Sequence, residues 1–512
     1  MEAGHLISGG RTCSVEDLLV AAHRAATGFR DIGIAEDDCV AIMLRNDFAF
    51  FEASLGAAAA GANAVPINWH GVPNELRYQL ETVRAKVLVI HADLLDAVRD
   101  GVPAQTRILV VDTPPEIAAA YRVPPSKCRV LAGETSWAQW LQAFAPLQEV
   151  SRAVRTSVIF TSGTTGNPKA VVREPAVGEA ATALADMGRT IFGLRAGEPF
   201  RTVLTGPLYH SAPNFFGLTA IRTGGLVVMQ PRFEAEELLA LVERHRITHL
   251  HLVPIMFSRL LALPESTRAR YDLRSLVYAV HAAAPCPPDI KRRMIDWWGP
   301  IIHEYYGGTE TGAATFMDSA AALRKSGSVG RAWERGRVEI RDPDGKLLPA
   351  GETGLVYLGI RGFPDFTYLG RAEERKAIEK DGLVTCGDIG WLDEDGYLFL
   401  CDRAKDMVIS GGVNIYPAEI EGVLATMPGI RDCAVFGIPD PEFGESLCAH
   451  VELQPDCTVT GDDVRAFLHG RVASYKIPKT VVIVEGLPRE DSGKIFKRKL
   501  REPYWAGLNR RI

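Results

Sequence analysis

Helix and strand signals alternate from Ser14 to about residue 325, and this rhythm constrains the fold more than any other property of the sequence. Ser14 to Ile32 carries V-x-x-L-L-x-A-A-x-x-A-A, the apolar spacing of one helix face, and Asp38 to Leu44 then supplies a short apolar strand. Phe48 to Ala60 reads as helix, Asn63 to Ile67 as extended chain, Asn74 to Thr82 as helix and Val87 to His91 as a buried strand. LVVM at 226–229 and THLHLV at 248–253 continue the series. Such alternation predicts a layered α/β domain, in which helices cover the faces of a sheet.

After residue 325 the texture changes. RVEIRDPDGKLLPAGETGLVYL, residues 337–358, holds short alternating strands, a DPDG turn and repeated glycines, which predict a small β-rich subdomain. The stretch from Trp391 to Glu421 reads as a hairpin with an Asp-Gly turn, a polar DRAKD segment, a strand, a double glycine and a helix with Pro417 at its first position. What remains suffices for a small α+β domain, one helix of which opens with a capping pattern at Thr460 to Asp463. A chain of 512 residues exceeds what one core usually serves. The expectation is therefore a large N-terminal domain over 1–402, a hinge at 403–406 and a small, mobile C-terminal domain over 407–512.

Charge narrows the partners. Lys and Arg number 57 against 63 Asp and Glu, so the chain has no general attraction to nucleic acid or acidic membranes, and an anionic substrate needs a local cationic site. Nine cysteines form no C-x-x-C pair and read as reduced thiols. The N-terminus shows no apolar signal region, and the most apolar stretch, Ala57 to Ile67, is broken by Gly61, Asn63 and Pro66, far short of the roughly 20 residues that span a bilayer. A cytoplasmic enzyme without integral membrane association or a nucleic-acid partner is expected.

The loop Thr161, Ser162, Gly163, Thr164, Thr165, Gly166, Asn167, Pro168, Lys169 sets hydroxyl donors, two glycines and one cation between apolar stretches. Those are the parts of a phosphate nest. It is not the G-x-x-x-x-G-K-S/T loop that opens a helix, because Pro168 precedes the lysine and Ala-Val-Val follows it. On these residues alone an ordinary polar hairpin stays open as the alternative. TSGTTGNPK, however, resembles the phosphate loop of the AMP-forming adenylating enzymes, the superfamily of acyl-CoA synthetases, peptide-synthetase adenylation domains and firefly luciferase. Four further segments resemble that superfamily in the same order: PLYHSAP at 207–213, EYYGGTETG at 304–312, residues 387–421 from GDIG to AEIE, and PREDSGKIFKRKLR at 488–501.

The resemblance implies an acid–thiol ligase that joins a carboxylic acid to ATP, releases pyrophosphate, and passes the acyl group from acyl-AMP to coenzyme A. Two anions must meet in the first step, so donors and positive charge have to be arranged beforehand. It implies that Thr161, Ser162, Gly163, Thr164, Thr165, Gly166 and Lys169 hold the β- and γ-phosphates, Thr309 the α-phosphate, and Glu310 a Mg²⁺ ion. Tyr306 would lie by adenine, with Asp388 and Arg403 on the ribose. Lys494 would reach the α-phosphate and the attacking carboxylate, Lys405 would be the hinge position, and Gly411 and Gly412 would line the pantetheine passage. Each of these is by itself an ordinary surface residue, and Lys497, Arg498 and Lys499 read equally well as a solvated basic face.

For the acyl pocket the resemblance points to Tyr209, His210, Asn214, Phe215, Phe216, His281, Ala282, Ala283, Gly307 and Gly308, with His210 as a gate rather than an acid or base. These residues suit a largely apolar acid, medium or long in chain or cyclic. Segments such as VPINWHGVPNELRYQL and HAAAPCP resemble fatty-acid and bulky-acid CoA ligases, and no carrier domain follows in this sequence, so CoA is the expected acceptor. An acyl-AMP ligase that delivers to a carrier protein and a non-catalytic nucleotide-binding sensor are the rival readings. Ala170 and Arg173 depart from the family's usual residues after the loop lysine. Relatives also suggest a lysine acyltransferase as a partner that would neutralise Lys494. The oligomeric state is left open.

Overall fold

The computed structural model describes residues 4–149, 153–161, 168–195, 197–198, 200–403, 406–410, 413–489 and 495–506, with Arg403 and Asn414 described by backbone alone. The predicted alternation folds as a mixed α/β structure with a large sheet-based N-terminal part and a small C-terminal one. At its centre, parallel strands Leu226–Met229, Arg201–Leu204, His249–Leu252, Tyr278–His281 and Ile302–Gly308 lie side by side, and the hairpin His5–Ser8 with Arg11–Ser14 closes one edge. Beyond Ile302–Gly308 the same sheet turns antiparallel through Gly312–Met317, Ser328–Ala332, Tyr397–Arg403, Leu383–Leu392, Gly354–Ile360 and Gly336–Arg341. The β-rich stretch is thus hydrogen-bonded onto the α/β sheet. That continuity places the strands bearing Asp388 and Arg403 in one sheet with the strand that ends in Tyr306, Gly307 and Gly308.

A second sheet of four parallel strands, Asn63–Pro66, Cys39–Met43, Val87–His91 and Arg107–Val111, is buried almost throughout. Helices Val15–Asp31 and Phe48–Ala60 pack closely against each other. Ser14 caps the first by accepting from the Asp17 amide at 2.9 Å. A Cβ on Gly56 would lie 2.7 Å from the Ala25 Cβ, so only glycine permits this approach. On the other face of the main sheet, Ala235–His245, Pro254–Leu261 and Pro288–Trp298 bury Leu238, Leu239, Phe257 and Met294. Each such side chain contributes about 1.5–3 kcal/mol by leaving water.

The C-terminal part has its own core, in which Ile420, Leu424, Val435, Leu447, Val451, Val464 and Leu468 meet. Its sheet joins Val413–Ile415, Val408–Ser410, Gly444–Leu453, Ile430–Asp440 and Thr480–Val484. Thr460 and Asp463 form the expected capping box, the Thr460 hydroxyl accepting from the Asp463 amide at 3.2 Å and the Asp463 carboxylate from the Thr460 amide at 2.8 Å. Helix Pro417–Leu424 turns its N-terminal end to the large sheet, where the Ala418 amide donates to Asp402 Oδ2 at 2.9 Å. Among the described residues, no helix is long and apolar enough to cross a membrane.

Candidate active site

Strands Ile159–Thr161 and Lys169–Arg173 pair antiparallel with Thr161 opposite Lys169, so the hydroxyl-rich loop joins two strands as the proline at 168 requires. Ser162, Gly163, Thr164, Thr165 and Gly166 lie outside the described residues. A third strand, Phe366–Tyr368, pairs along Lys169–Arg173 and brings the Tyr368 hydroxyl over Glu310. Glu310 Oε1 accepts from Tyr368 at 3.0 Å and from the Thr161 hydroxyl at 3.3 Å. Burial, followed by the Glu310 charge, pushes the Tyr368 phenol upward, which keeps it a donor. Lys169 Nζ lies 2.6 Å from Glu374 Oε2 and 4.8 Å from the centre of the Tyr368 ring. Its hydrogen bond holds the Glu374 carboxyl below the usual range.

Thr309 and Glu310 occupy the turn between antiparallel strands Ile302–Gly308 and Gly312–Met317. The turn is tight: a Cβ on Gly307 would fall 1.8 Å from the Gly312 carbonyl oxygen, and one on Gly308 would fall 2.9 Å from Cys386 Sγ. The Thr309 hydroxyl donates to Ser211 Oγ at 3.1 Å, which ties the turn to helix Ser211–Arg222 just after His210. The Tyr306 hydroxyl hydrogen-bonds the Asp388 carboxylate. Asp388 sits opposite Arg403 in the strand register. The structure therefore brings Thr161, Tyr306, Thr309, Glu310 and Asp388 together from segments spread over more than two hundred residues of the chain.

Arg173, singled out in the sequence only as a departure, is an unforeseen member of this cluster. Its Nη2 donates to the carbonyl oxygens of Thr309 at 2.6 Å and Glu310 at 2.7 Å, and its Nη1 to the Pro364 carbonyl at 2.8 Å. The guanidinium lies over the rings of Phe363 and Phe366, at 4.7 and 5.4 Å. Burial pushes it down to about 10, so it stays charged at neutral pH.

These residues border a continuous cleft of about 3190 Å³, several times the volume that one small ligand fills. His210, Phe215, Ala282, Ala283 and Gly307 line it, beside Met187, Ile191, Phe192 and Leu218. His251 and Tyr305 supply a polar contact in this wall, His251 Nε2 lying 3.0 Å from the Tyr305 hydroxyl. Burial lowers His251 to about 4, so the ring is neutral. His281 is placed differently from the expectation. It is fully buried behind Ala282 and Ala283, its ring 5.2 Å from Phe257 and Nδ1 3.9 Å from Glu304, which itself pairs with Lys291. Strand alternation sends its side chain into the helical layer, where burial holds it well below its ordinary value.

Lys405, Gly411, Gly412 and Lys494 lie outside the described residues, and the Arg403 side chain is likewise undescribed. Residues 495–499, directly after Lys494, border the cleft. Lys497 is no solvated surface charge: it is largely buried and pairs with Glu421 at 2.7 Å. Burial works against its charge, but Glu421 and Asp402 outweigh it and bring the amine to about 12.

A family profile described as AMP-binding enzyme matches residues 1–362, and one described as AMP-binding enzyme C-terminal domain matches residues 419–494. The chain is 31% identical over 491 residues to the long-chain-fatty-acid–CoA ligase FadD13 of Mycobacterium tuberculosis, covering 95% of this chain and 92% of that one. It is also 31% identical over 512 residues to the feruloyl-CoA synthase of an Amycolatopsis species, covering 97% and 95%. The solved structure of ATP-bound MatB from Rhodopseudomonas palustris superposes with a TM-score of 0.83 at 26% identity, covering 98% of this chain and 96% of that one.

Proposed function

The chain belongs to the AMP-binding enzyme family, and from that premise we propose that it activates a largely apolar carboxylic acid with ATP and transfers the acyl group to CoA. The observation that carries this reading is the convergence of Thr161, Thr309, Glu310, Tyr306 and Asp388 on one cleft that is also lined by the apolar Met187, Ile191, Phe192, Phe215 and Leu218. In the first half-reaction an oxygen of the substrate carboxylate attacks the α-phosphorus and pyrophosphate departs. Thr161 and Lys169 with the loop hydroxyls hold the leaving phosphates. Lys169 exchanges Glu374 for phosphate as it does so. Thr309 donates toward the α-phosphate, and Lys494 balances the charge shared by the two anions. Asp388, oriented by Tyr306, accepts from the ribose hydroxyls, with Arg403 beside it.

Glu310 together with the neutral Thr161 hydroxyl offers the hard oxygen donors and low carboxylate count that suit Mg²⁺, and Glu310 would hold the ion there. When bound, Mg²⁺ neutralises part of the phosphate charge. In the second half-reaction the CoA thiol, losing its proton, attacks the acyl carbonyl and AMP leaves. We assign the hinge to 403–406 with Lys405 at its pivot, so that the domain over 407–512 withdraws Lys494 and brings Gly411 and Gly412 to the pantetheine passage.

The apolar stretch of lining formed by Met187, Ile191, Phe192, Phe215 and Leu218 favours a fatty or cyclic acid. The test is release of AMP and pyrophosphate from MgATP across short, long, aromatic and polycyclic acids, with and without CoA. CoA-dependent turnover that peaks on one acid class is the expected outcome. Pyrophosphate exchange without CoA turnover would point to a carrier-protein acceptor, and ATP binding without AMP release to a sensor.

A further inference from the structure

Arg173 does more than fill space. Its three acceptors are all neutral carbonyls, and two of them belong to the adjacent residues Thr309 and Glu310. The nearby carboxylates of Glu310 and Asp365 favour the guanidinium charge through space only, since Asp365 pairs with Arg375 at 2.9 Å and Glu310 accepts from Thr161 and Tyr368. A charged side chain in such a setting is costly unless an anion completes it. The same guanidinium is borne on the strand that leaves the phosphate loop, four residues after Lys169, and it borders the cleft.

We propose that Arg173 is a positioning residue for the adenylation step, which fixes the Thr309–Glu310 peptide and keeps beneath it a positive charge that the incoming triphosphate neutralises. The proposal rests on the ligase reading for its ligand but on this chain's own contacts for its residue. Two adjacent carbonyls held by one nitrogen pin the peptide plane, so the Thr309 hydroxyl stays at Ser211 and the Glu310 carboxylate at Thr161. Thus Thr161, the metal-binding carboxylate and the α-phosphate donor are held together before ATP arrives. Lysine can restore the charge but not the planar fork.

The test uses the full chain with the variants R173Q and R173K. MgATP affinity is measured by calorimetry without acid, alongside adenylation, thioester formation from supplied acyl-adenylate, and melting temperature. R173Q should bind MgATP about 10- to 100-fold more weakly, with a loss in adenylation at least tenfold larger than the loss in thioester formation. R173K should recover most of the affinity but less of kcat. MgATP affinity in R173Q within twofold of the parent would overturn the proposal. So would equal loss of both half-reactions with a lowered melting temperature and no recovery in R173K, the pattern of a plain structural strut. If the parent binds MgATP but releases no AMP with any acid, the ligase reading fails while the affinity ratio still decides the role of Arg173.

Discussion

Ala283 holds a left-handed backbone with φ of 75° on the wall of the cleft, a conformation that costs a side-chain-bearing residue about 1 kcal/mol. Ala283→Gly should therefore raise the denaturant midpoint by an amount equivalent to about 1 kcal/mol, and an unchanged or lower midpoint would show that the methyl group's contacts outweigh the strain. The grouping of Thr161 with Tyr306, Thr309 and Glu310 was legible because hydroxyls, glycines and single charges at fixed spacing mark both segments. Arg173 was visible as an odd residue but not as a partner of Thr309 and Glu310, since 136 and 137 positions separate them in sequence. His281 was misplaced because its neighbours line the pocket, and only the strand's alternation decides that its own ring points away.

Short elements set the state of the site before substrate arrives. Helix Ala372–Ala377 presents Glu374 to Lys169 and so occupies the cation proposed to hold phosphate. The pair is partly exposed, so its hold is weak, about 0.2–1 kcal/mol. Glu374→Gln should lower the KM for MgATP by up to about fivefold with kcat little changed; a rise in KM would mean that Glu374 orients Lys169 instead. Helix Phe48–Ala60 carries a different liability. Burial raises the Glu52 carboxyl from its ordinary 4.5 to about 7, although the Trp137 indole donates to it at 2.7 Å. The folded chain then holds more protons than the unfolded chain between those two values, so stability falls as pH rises from 4.5 to about 7 and levels off above. Glu52→Gln keeps the acceptor for Trp137 without the charge. It should be more stable than the parent by up to about 3 kcal/mol at pH 8 and by nothing at pH 4, measured by urea unfolding at both.

At the scale of the whole molecule, the two half-reactions make opposite demands on the cleft, which must exclude water from an anhydride and then admit a thiol. Lys494→Ala should reduce adenylation by about 10²-fold or more while thioester formation from supplied acyl-adenylate falls far less. Equal losses in both steps would remove the case for a C-terminal domain that exchanges Lys494 for the glycine passage. The sequence by itself determined the α/β rhythm and the small capped C-terminal domain, because periodicity, turn residues and local spacing are short-range properties of the chain. Only the tertiary structure decided that the antiparallel strands extend the parallel sheet, that Lys497 is a half-buried ion-pair partner, and that Arg173 supports Thr309 and Glu310. Those outcomes depend on which distant segments share a sheet edge or a face, and no local pattern of residues encodes that pairing.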